Sequence, residues 1–235
     1  MASIVAVPVP EYIRPEDMNM LLANVSPERR DRASAYYRVK DRYRSLLAEW
    51  LVRYVAVDRA GLARSHIRFV RNRYGKPSLA GNFGFSFNVS HSGDWVVLLW
   101  DAQPARLGVD VEQIVPIDLA VADGVFTAAE REELFAAAEH ERLEHFYRQW
   151  TLKESCVKAL GTGLSRAPQS FTVARSEAGG WHSPEAGPFR FVSFRLDEAH
   201  IVSACSDSGE IAEKADVWAW TELRESLAKP ADPFR

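Results

Sequence analysis

Residues 103–112, with the sequence QPARLGVDVE, mark the boundary between two halves of the chain and begin the second half. The Gln-Pro-Ala segment interrupts regular structure, because proline cannot donate a backbone hydrogen bond. The next residues alternate between valine and acidic residues, which predicts a strand over 107–111. On either side of this boundary the order is the same, a helix followed by strands. We therefore predict an α+β protein of two similar lobes with a weakly ordered tail. The predicted segments are residues 1–104, 105–222 and 223–235.

The first half is predicted to contain an opening strand, a long helical region and a hairpin. Residues 3–9 form the strand. Apolar and aromatic positions, including Tyr36 and Tyr37, recur at helical spacing over residues 26–57. The Ser-Pro pair that starts this region is typical of a helix N-cap and first turn. A strand at 67–70, a turn at 74–77 and a hairpin of strands 85–89 and 95–100 follow.

The second half is predicted to repeat this order. Its helices cover residues 126–140 and 144–160, and its strands cover residues 171–173, 189–196 and 200–205. The last two strands are close enough in sequence to form a hairpin.

The formal net charge of −3 results from two halves of opposite charge. Residues 1–112 carry 16 basic and 12 acidic side chains, and residues 113–235 carry 13 and 20. Within the first half, residues 29–76 alone carry 14 basic and 4 acidic side chains. Such a segment indicates an anionic partner.

Several classes of protein are disfavoured. No window contains the roughly 18 apolar residues of a membrane span, and the first residues lack the basic and long apolar regions of a secretory signal. Cys156 and Cys205 lie far apart in apolar surroundings, which indicates buried, reduced thiols. We therefore expect a cytoplasmic protein without membrane association.

Asp110 and Glu112 are two positions apart on the strand predicted over 107–111, so their side chains project from the same face. Neighbouring carboxylates repel each other unless a cation lies between them. Mg²⁺ is such a cation, because it binds one or two carboxylates together with substrate phosphates. A solvated strand end with two acidic residues is the competing interpretation.

Glu154 and Lys158 share one face of the helix predicted over 144–160. They can form an ordinary surface ion pair, worth about 0.2–0.5 kcal/mol. Alternatively, Glu154 supplies a third carboxylate to a metal and Lys158 supplies a cation to a phosphate.

Glu130 belongs to the sequence FTAAE at residues 126–130. Thr127 and Glu130 have the spacing of a capping box, which is a structural role. A glutamate near a metal can also act as a general base.

Ser90 and His91 follow a predicted strand in the sequence NVSHS. Neighbours on a strand point to opposite faces, and no GxSxG motif is present, so serine hydrolysis is disfavoured. A turn with hydroxyl, imidazole and backbone N–H groups is better suited to phosphate binding. Walker A and GxGxxG motifs are absent from the sequence, which disfavours the corresponding nucleotide-binding folds.

In this order, YGKP, NVSHS, GVDVE, FTAAE and WTLKESCVK resemble the motifs of the Sfp-type 4′-phosphopantetheinyl transferases. The resemblance covers roughly residues 24–205. It implies two pseudo-symmetric α+β lobes. Because a chain of two lobes can build the site at its own boundary, we expect a monomer. Members of this family transfer the phosphopantetheine arm of coenzyme A, with Mg²⁺, to a serine of an apo carrier protein and release adenosine 3′,5′-bisphosphate. The carriers, acyl or peptidyl carrier proteins, are acidic and serve fatty-acid, polyketide or nonribosomal-peptide biosynthesis.

The resemblance also implies roles for individual residues. Asp110, Glu112 and Glu154 would be the Mg²⁺ ligands. Lys158 would contact the phosphates, and Glu130 or Glu154 would help to deprotonate the acceptor serine. The residues implied in binding coenzyme A are Arg29, Arg32, Arg44, Lys76, Ser90, His91, Asp110 and Lys158. Arg29 and Arg32 stand where well-known members have lysines, and they keep the positive charge.

Two alternatives belong to other functional classes. The basic segment 29–76 could bind acidic proteins or nucleic acid without catalysis. Against this, its arginines alternate with core aromatic residues, and no nucleic-acid-binding motif is present, so we expect no nucleic-acid partner. A catalytically inactive carrier-protein chaperone is disfavoured by the intact acidic and basic residues of the candidate site.

Overall fold

A computed structural model describes residues 1–176 and 179–228 of the chain. The helices in this part of the chain are α1 (Pro15–Ala23), α2 (Pro27–Ser34), α3 (Val39–Asp58), α4 (Ala122–Val125), α5 (Ala128–Ala136), α6 (Arg142–Leu160) and α7 (Trp220–Ala228). The strands are β1 (Ser3–Pro8), β2 (Phe69–Arg71), β3 (Pro77–Leu79), β4 (Ser86–Ser92), β5 (Trp95–Asp101), β6 (Leu107–Gln113), β7 (Ala174–Arg175), β8 (Trp181–His182), β9 (Arg190–Arg195), β10 (His200–Ser206) and β11 (Asp216–Val217).

The two lobes have the same central topology. The first sheet has the strand order β11-β1-β5-β4, and the second has the order β6-β10-β9-β8-β7. The first strand of each lobe pairs antiparallel with the second strand of a later hairpin. In the first lobe β1 pairs with β5 of the β4–β5 hairpin, and in the second lobe β6 pairs with β10 of the β9–β10 hairpin. In each lobe a long helix lies in sequence between that first strand and the hairpin, α3 in the first lobe and α6 in the second. The prediction of an α+β protein with two pseudo-symmetric lobes is therefore confirmed.

Alternation along the strands produces a layered core. On β1, Val5 and Val7 pack against α3, while Ile4 and Ala6 face the second lobe. Their partners across the lobe boundary include Val109 of β6. The two sheets therefore pack on each other, and α3 and α6 cover their outer faces. This arrangement brings β4 of the first lobe beside β6 of the second.

Gly108 permits the close contact between β6 and α6. A Cβ atom at this position would lie 1.8 Å from the carbonyl oxygen of Ser155 and 2.6 Å from the backbone nitrogen of Ala159. Any side chain here would push the helix away from the strand that carries Asp110 and Glu112.

The long helical region predicted over 26–57 is divided into α2 and α3. Ser26 caps α2 as expected, since its side chain accepts a hydrogen bond from the backbone nitrogen of Arg29. The chain breaks at residues 35–38, and Tyr37 is fully exposed, so Tyr36 and Tyr37 do not belong to a buried stripe. Tyr36 and Tyr37 therefore match the helical spacing of apolar residues without belonging to a helix.

The end of the second half also differs from the prediction. Residues 171–173 do not form a strand, although Phe171 and Val173 are buried and pack against α6. Further along, β11 pairs parallel with β1, and Leu223 of α7 is 2% exposed in the core of the first lobe. The second lobe therefore ends before residue 222, and the weakly ordered tail does not begin at Leu223. Residues 229–235 lie outside the described residues.

Two further properties concern membrane-spanning helices and the cysteine residues. Within the described residues, no helix combines the length and apolar character needed to cross a membrane. Cys156 and Cys205 are both buried and free. Burial raises the pKa of the Cys156 thiol to about 11, which keeps it in the unreactive protonated form at neutral pH.

Candidate active site

A pocket of about 310 Å³ lies where β4, β6 and α6 meet between the lobes. Most of the residues that the sequence analysis selected face it. The lining residues are Arg29, Ala48, Val89, Ser90, His91, Asp110, Glu112, Trp150, Glu154 and Lys158. Residues that are far apart in sequence thus form one polar site.

Two serine side chains that are two positions apart on β4 bind two carboxylates that are two positions apart on β6. The hydroxyl of Ser90 donates to Asp110 Oδ1 at 2.9 Å, and the hydroxyl of Ser92 donates to Glu112 Oε2 at 2.7 Å. Asn88, two positions earlier, accepts a hydrogen bond from the backbone nitrogen of Val109 at 2.8 Å. The strand period of two therefore presents both carboxylates to the pocket.

Ser90 and His91 lie on strand β4 itself, whereas the sequence analysis placed them in a turn. The hairpin turn is formed by the next residues, Gly93 and Asp94. Ser90 is buried against Asp110, and His91 is exposed at the rim of the pocket. Although the residue is exposed, the protein atoms around one side of its imidazole lower the pKa of His91 by partial desolvation, and the charges of Arg44 and Lys158 lower it further.

Lys158 forms a bridge between the two lobes. Its ammonium group donates to Asp110 Oδ1 at 2.6 Å and to the hydroxyl of Ser90 at 2.8 Å. The surface ion pair with Glu154, one of the two interpretations of this spacing, is replaced by the pair with Asp110. Because Lys158 is only 29% exposed, this ion pair belongs to the pocket and not to the outer surface.

The carboxylates of the pocket destabilise one another's charge. Burial and the negative charge of Asp110 raise the pKa of Glu112 to about 6, and the same two causes raise the pKa of Glu154. Asp110 Oδ2 is buried without a hydrogen-bond partner. The pocket therefore has more negative charge than Lys158 alone neutralises.

The donor set fits a hard divalent cation such as Mg²⁺, which prefers carboxylate oxygens. Asp110, whose Oδ2 is buried without a hydrogen-bond partner, lines the pocket together with Glu112 and Glu154. Within residues 1–176 and 179–228, no three side chains of the metal-binding types are gathered closely enough to form a finished metal centre.

Glu130 does not line this pocket, which disfavours its predicted role as a base. It is 1% exposed and completes the capping box with Thr127. Its carboxylate also accepts hydrogen bonds from Gln149, from the backbone of Val173 and from Lys153 at 2.6 and 2.8 Å. A carboxylate enclosed by donors in this way is structural.

Lys76 and Arg44 bind backbone carbonyl groups. The ammonium of Lys76 donates to the carbonyl oxygens of Leu107 and Ala159, at 2.9 and 3.1 Å, and so connects the first lobe to β6 and α6. Burial lowers the pKa of Lys76 to about 8. Arg44 donates to the carbonyl oxygen of Gly93 and to Asp41. Neither side chain lines the pocket, in contrast to their expected contact with a ligand phosphate.

A larger groove of about 970 Å³ runs from the pocket along the first lobe. It shares Arg29, Ala48 and Val89 with the pocket, and Arg32 lines it as well. The arginine residues that line this groove are Arg29, Arg32, Arg53, Arg64, Arg68 and Arg71. Six of the 14 basic residues of segment 29–76 thus line one groove that leads to the carboxylates.

Two residues of this region were not predicted from the sequence. Ser92 binds Glu112, and its position two residues after Ser90 on the same strand would have indicated this. Arg71 on β2 lines the basic groove beside Arg29 and Arg32. Burial and these two neighbouring charges lower the pKa of Arg71.

Comparison with known proteins identifies the family. Residues 106–205 match the model of the 4′-phosphopantetheinyl transferase superfamily, and residues 13–103 match the model described as 4′-phosphopantetheinyl transferase, N-terminal. The chain is 32% identical over 211 residues to the 4′-phosphopantetheinyl transferase Sfp of Bacillus subtilis (strain 168), covering 88% of this chain and 93% of that protein.

Two other relatives agree. The 4′-phosphopantetheinyl transferase gsp of Aneurinibacillus migulanus is 33% identical over 208 residues, covering 88% of this chain and 86% of that protein. The human L-aminoadipate-semialdehyde dehydrogenase-phosphopantetheinyl transferase is 31% identical over 166 residues, covering 64% of this chain and 53% of that protein. The chain therefore belongs to the Sfp-type 4′-phosphopantetheinyl transferases, the enzymes that transfer phosphopantetheine to carrier proteins.

Proposed function

We propose that coenzyme A is the phosphopantetheine donor, that Mg²⁺ is required, and that the acceptor is a serine of an apo acyl or peptidyl carrier protein. The second product is then adenosine 3′,5′-bisphosphate. The observation that carries this proposal is the pocket in which Asp110, Glu112, Glu154 and Lys158 meet at the end of a basic groove.

The continuity of the groove and the pocket supports a long, anionic donor. Coenzyme A carries a pyrophosphate in its middle and a further phosphate on its ribose. Arg29 borders both the groove and the pocket, and Arg32 and Arg71 line the groove alone. Guanidinium groups can bind phosphate oxygens in pairs, which favours arginine for this task. We therefore assign the phosphates outside the reacting centre to this arginine cluster.

The residues that would hold Mg²⁺ are Asp110, Glu112 and Glu154. The buried, unpartnered oxygen of Asp110 supports this assignment, as do the raised pKa values of Glu112 and Glu154. When bound, a divalent cation stabilises negative charge on the pyrophosphate.

Glu154 is the candidate general base for the acceptor serine. It is half-buried and lines the pocket, and burial raises its pKa toward the range in which a carboxylate accepts a proton more readily. Lys158 can turn from Asp110 toward the departing phosphate and stabilise its charge. Ser90 and His91 offer a hydroxyl group and an imidazole at the edge of the same pocket. The chain's contribution is positioning and charge neutralisation, without a covalent intermediate.

We further propose that the protein acts as a monomer in the cytoplasm on acidic carriers. Both lobes contribute to one pocket, so a single chain supplies the whole site. The buried free thiols of Cys156 and Cys205 suit a reducing compartment.

The alternative, a binding module that uses the basic segment for acidic proteins or nucleic acid, has less support. Arg53 of that segment is engaged within the protein, since it pairs with Glu49 and donates to the carbonyl oxygen of Ile67. Six of the segment's arginines line the groove that shares Arg29 with the pocket of carboxylates.

The test is incubation of the protein with coenzyme A, Mg²⁺ and a panel of apo acyl and peptidyl carriers, followed by mass spectrometry. We expect a gain of one phosphopantetheine on at least one carrier and none after chelation of Mg²⁺. Absence of a gain on every carrier, when a known transferase modifies the same preparations, would refute the proposal. Salt-sensitive nucleic-acid binding that coenzyme A does not displace would support the binding module instead.

A further inference from the structure

The tip of the β4–β5 hairpin is held by groups from three other elements. The carbonyl oxygen of Gly93 accepts a hydrogen bond from Arg44, and the carboxylate of Asp94 pairs with Lys40, both on α3. The carbonyl oxygen of Asp94 accepts a hydrogen bond from the backbone nitrogen of Val9 at 2.7 Å. These contacts lie within the first lobe.

The contact from the second lobe comes from His200 on β10. This imidazole is 2% exposed, and its Nε2 accepts a hydrogen bond from the backbone nitrogen of Asp94 at 3.4 Å. Its other nitrogen, Nδ1, lies 2.9 and 3.0 Å from the carboxylate oxygens of Asp197. His200 therefore joins the hairpin tip to the turn between β9 and β10.

Asp197 contacts the same hairpin a second time. One of its carboxylate oxygens accepts a hydrogen bond from the indole nitrogen of Trp95 at 2.7 Å. Burial opposes the ionisation of Asp197, but the hydrogen bonds from Trp95 and His200 outweigh it and lower the pKa. Asp197 and His200 thus hold consecutive residues of the hairpin, one by its side chain and one by its backbone.

The hydrogen-bond pattern determines the protonation of His200. Nδ1 faces a carboxylate and must donate, whereas Nε2 faces an N–H group and must accept. Only the neutral imidazole with its proton on Nδ1 satisfies both partners.

Gly93 shows how closely the hairpin and His200 approach. A Cβ atom at Gly93 would lie 2.2 Å from Nε2 of His200 and 2.8 Å from Oε1 of Gln113. Gly93 also has φ +52°, a left-handed conformation that favours glycine. The turn therefore fits against the second lobe only without a side chain at this position.

We propose that Asp197 and His200 form a clamp between the lobes that positions Ser90, His91 and Ser92 for binding of coenzyme A. The inference rests on the proposed function, because those three residues precede the clamped turn and two of them line the pocket. Ser90 and Ser92 bind Asp110 and Glu112, so a shift of the hairpin alters the donor site as a whole. Asp197 and His200 themselves do not line the pocket, so they are positioning residues.

The test compares His200→Ala, His200→Gln and Trp95→Phe with the unaltered protein. His200→Ala removes both contacts, and we expect the KM for coenzyme A to rise about tenfold because the hairpin that carries Ser90 and His91 is no longer held, while kcat falls by less than about threefold. His200→Gln retains a donor and an acceptor and should recover most of the affinity. Trp95→Phe keeps the aromatic ring and removes only the indole donor, so a smaller rise in the same direction is expected.

Ser206→Ala is the matched control. Ser206 is a buried polar residue at the other end of β10, and its hydrogen bonds are made to Ser208 within its own turn. If Ser206→Ala raises the KM for coenzyme A as much as His200→Ala does, the effect reflects a general loss of stability, and the proposal is overturned. Equal KM values for His200→Ala and the unaltered protein would also overturn it.

Two measurements without catalysis keep this test separate from that of the proposed function. Nitrogen-15 NMR of the unaltered protein should show His200 neutral with its proton on Nδ1, and a proton on Nε2 would contradict the clamp. Amide hydrogen exchange should accelerate at residues 90–95 in His200→Ala, and unchanged protection there would contradict it as well. If the unaltered protein transfers nothing, the proposed function fails, while these two results still decide on the clamp.

Discussion

Replacing Glu130 with glutamine distinguishes a structural carboxylate from a catalytic one. Glu130 is 1% exposed and pairs with Lys153, which is fully buried. Glu130→Gln leaves the ammonium group of Lys153 without its counter-charge. Removing one partner of a buried ion pair typically costs about 3–5 kcal/mol of unfolding free energy. For a chain of 235 residues this corresponds to a fall in Tm of about 6–20 °C.

The assay is urea unfolding of Glu130→Gln, Lys153→Met and the double variant. Because the two side chains bind each other at 2.6 and 2.8 Å, we expect the double variant to be more stable than the sum of the single losses by about 2–3 kcal/mol. Transfer activity per folded molecule of Glu130→Gln should remain within about threefold of the unaltered protein, measured well below its Tm. A stable Glu130→Gln variant without activity would refute this reasoning and restore Glu130 as the candidate base.

Three further predictions concern the lobe contacts and the site. Gly108→Ala should destabilise the fold by about 3 kcal/mol or more in urea unfolding, because its Cβ would meet the backbone of α6, and unchanged stability would contradict the described contact. Lys76 has a folded-state pKa of about 8, below its ordinary value near 10.5, so the unfolded chain binds more protons between these values and unfolding free energy should rise with pH there. Lys76→Met should abolish that part of the pH dependence, and an unchanged slope would show that Lys76 is not responsible. Arg71→Gln should raise the KM for coenzyme A several-fold and leave the KM for dephospho-coenzyme A, which lacks the ribose phosphate, nearly unchanged, whereas equal effects on both donors would remove Arg71 from the phosphate contacts.

Local sequence signals predicted the parts of the fold that local interactions determine. The N-cap at Ser26, the capping box of Thr127 and Glu130, and the α+β order of both lobes are all present in the structure. The same-face placement of Asp110 and Glu112 followed from the strand period alone.

The remaining features depend on contacts between distant residues. Strand β11 forms only because β1 offers a free edge, and Leu223 is buried only because α7 packs on the first lobe. The pairing of Glu130 with Lys153 is likewise a tertiary contact, and it changes a possible base into a structural residue. The hydrogen bonds of Lys76 are also tertiary contacts, since its carbonyl partners lie at least 31 positions away in sequence.

The central claim is that Asp110, Glu112, Glu154 and Lys158 form the transfer site, and mass spectrometry of an apo carrier protein tests it most directly. The carrier is incubated with coenzyme A, Mg²⁺ and either the unaltered protein, Glu154→Gln or Glu130→Gln, with folding of each verified. We predict that the unaltered protein and folded Glu130→Gln add one phosphopantetheine and that Glu154→Gln does so at least about a hundredfold more slowly. Unchanged transfer by folded Glu154→Gln would contradict the account.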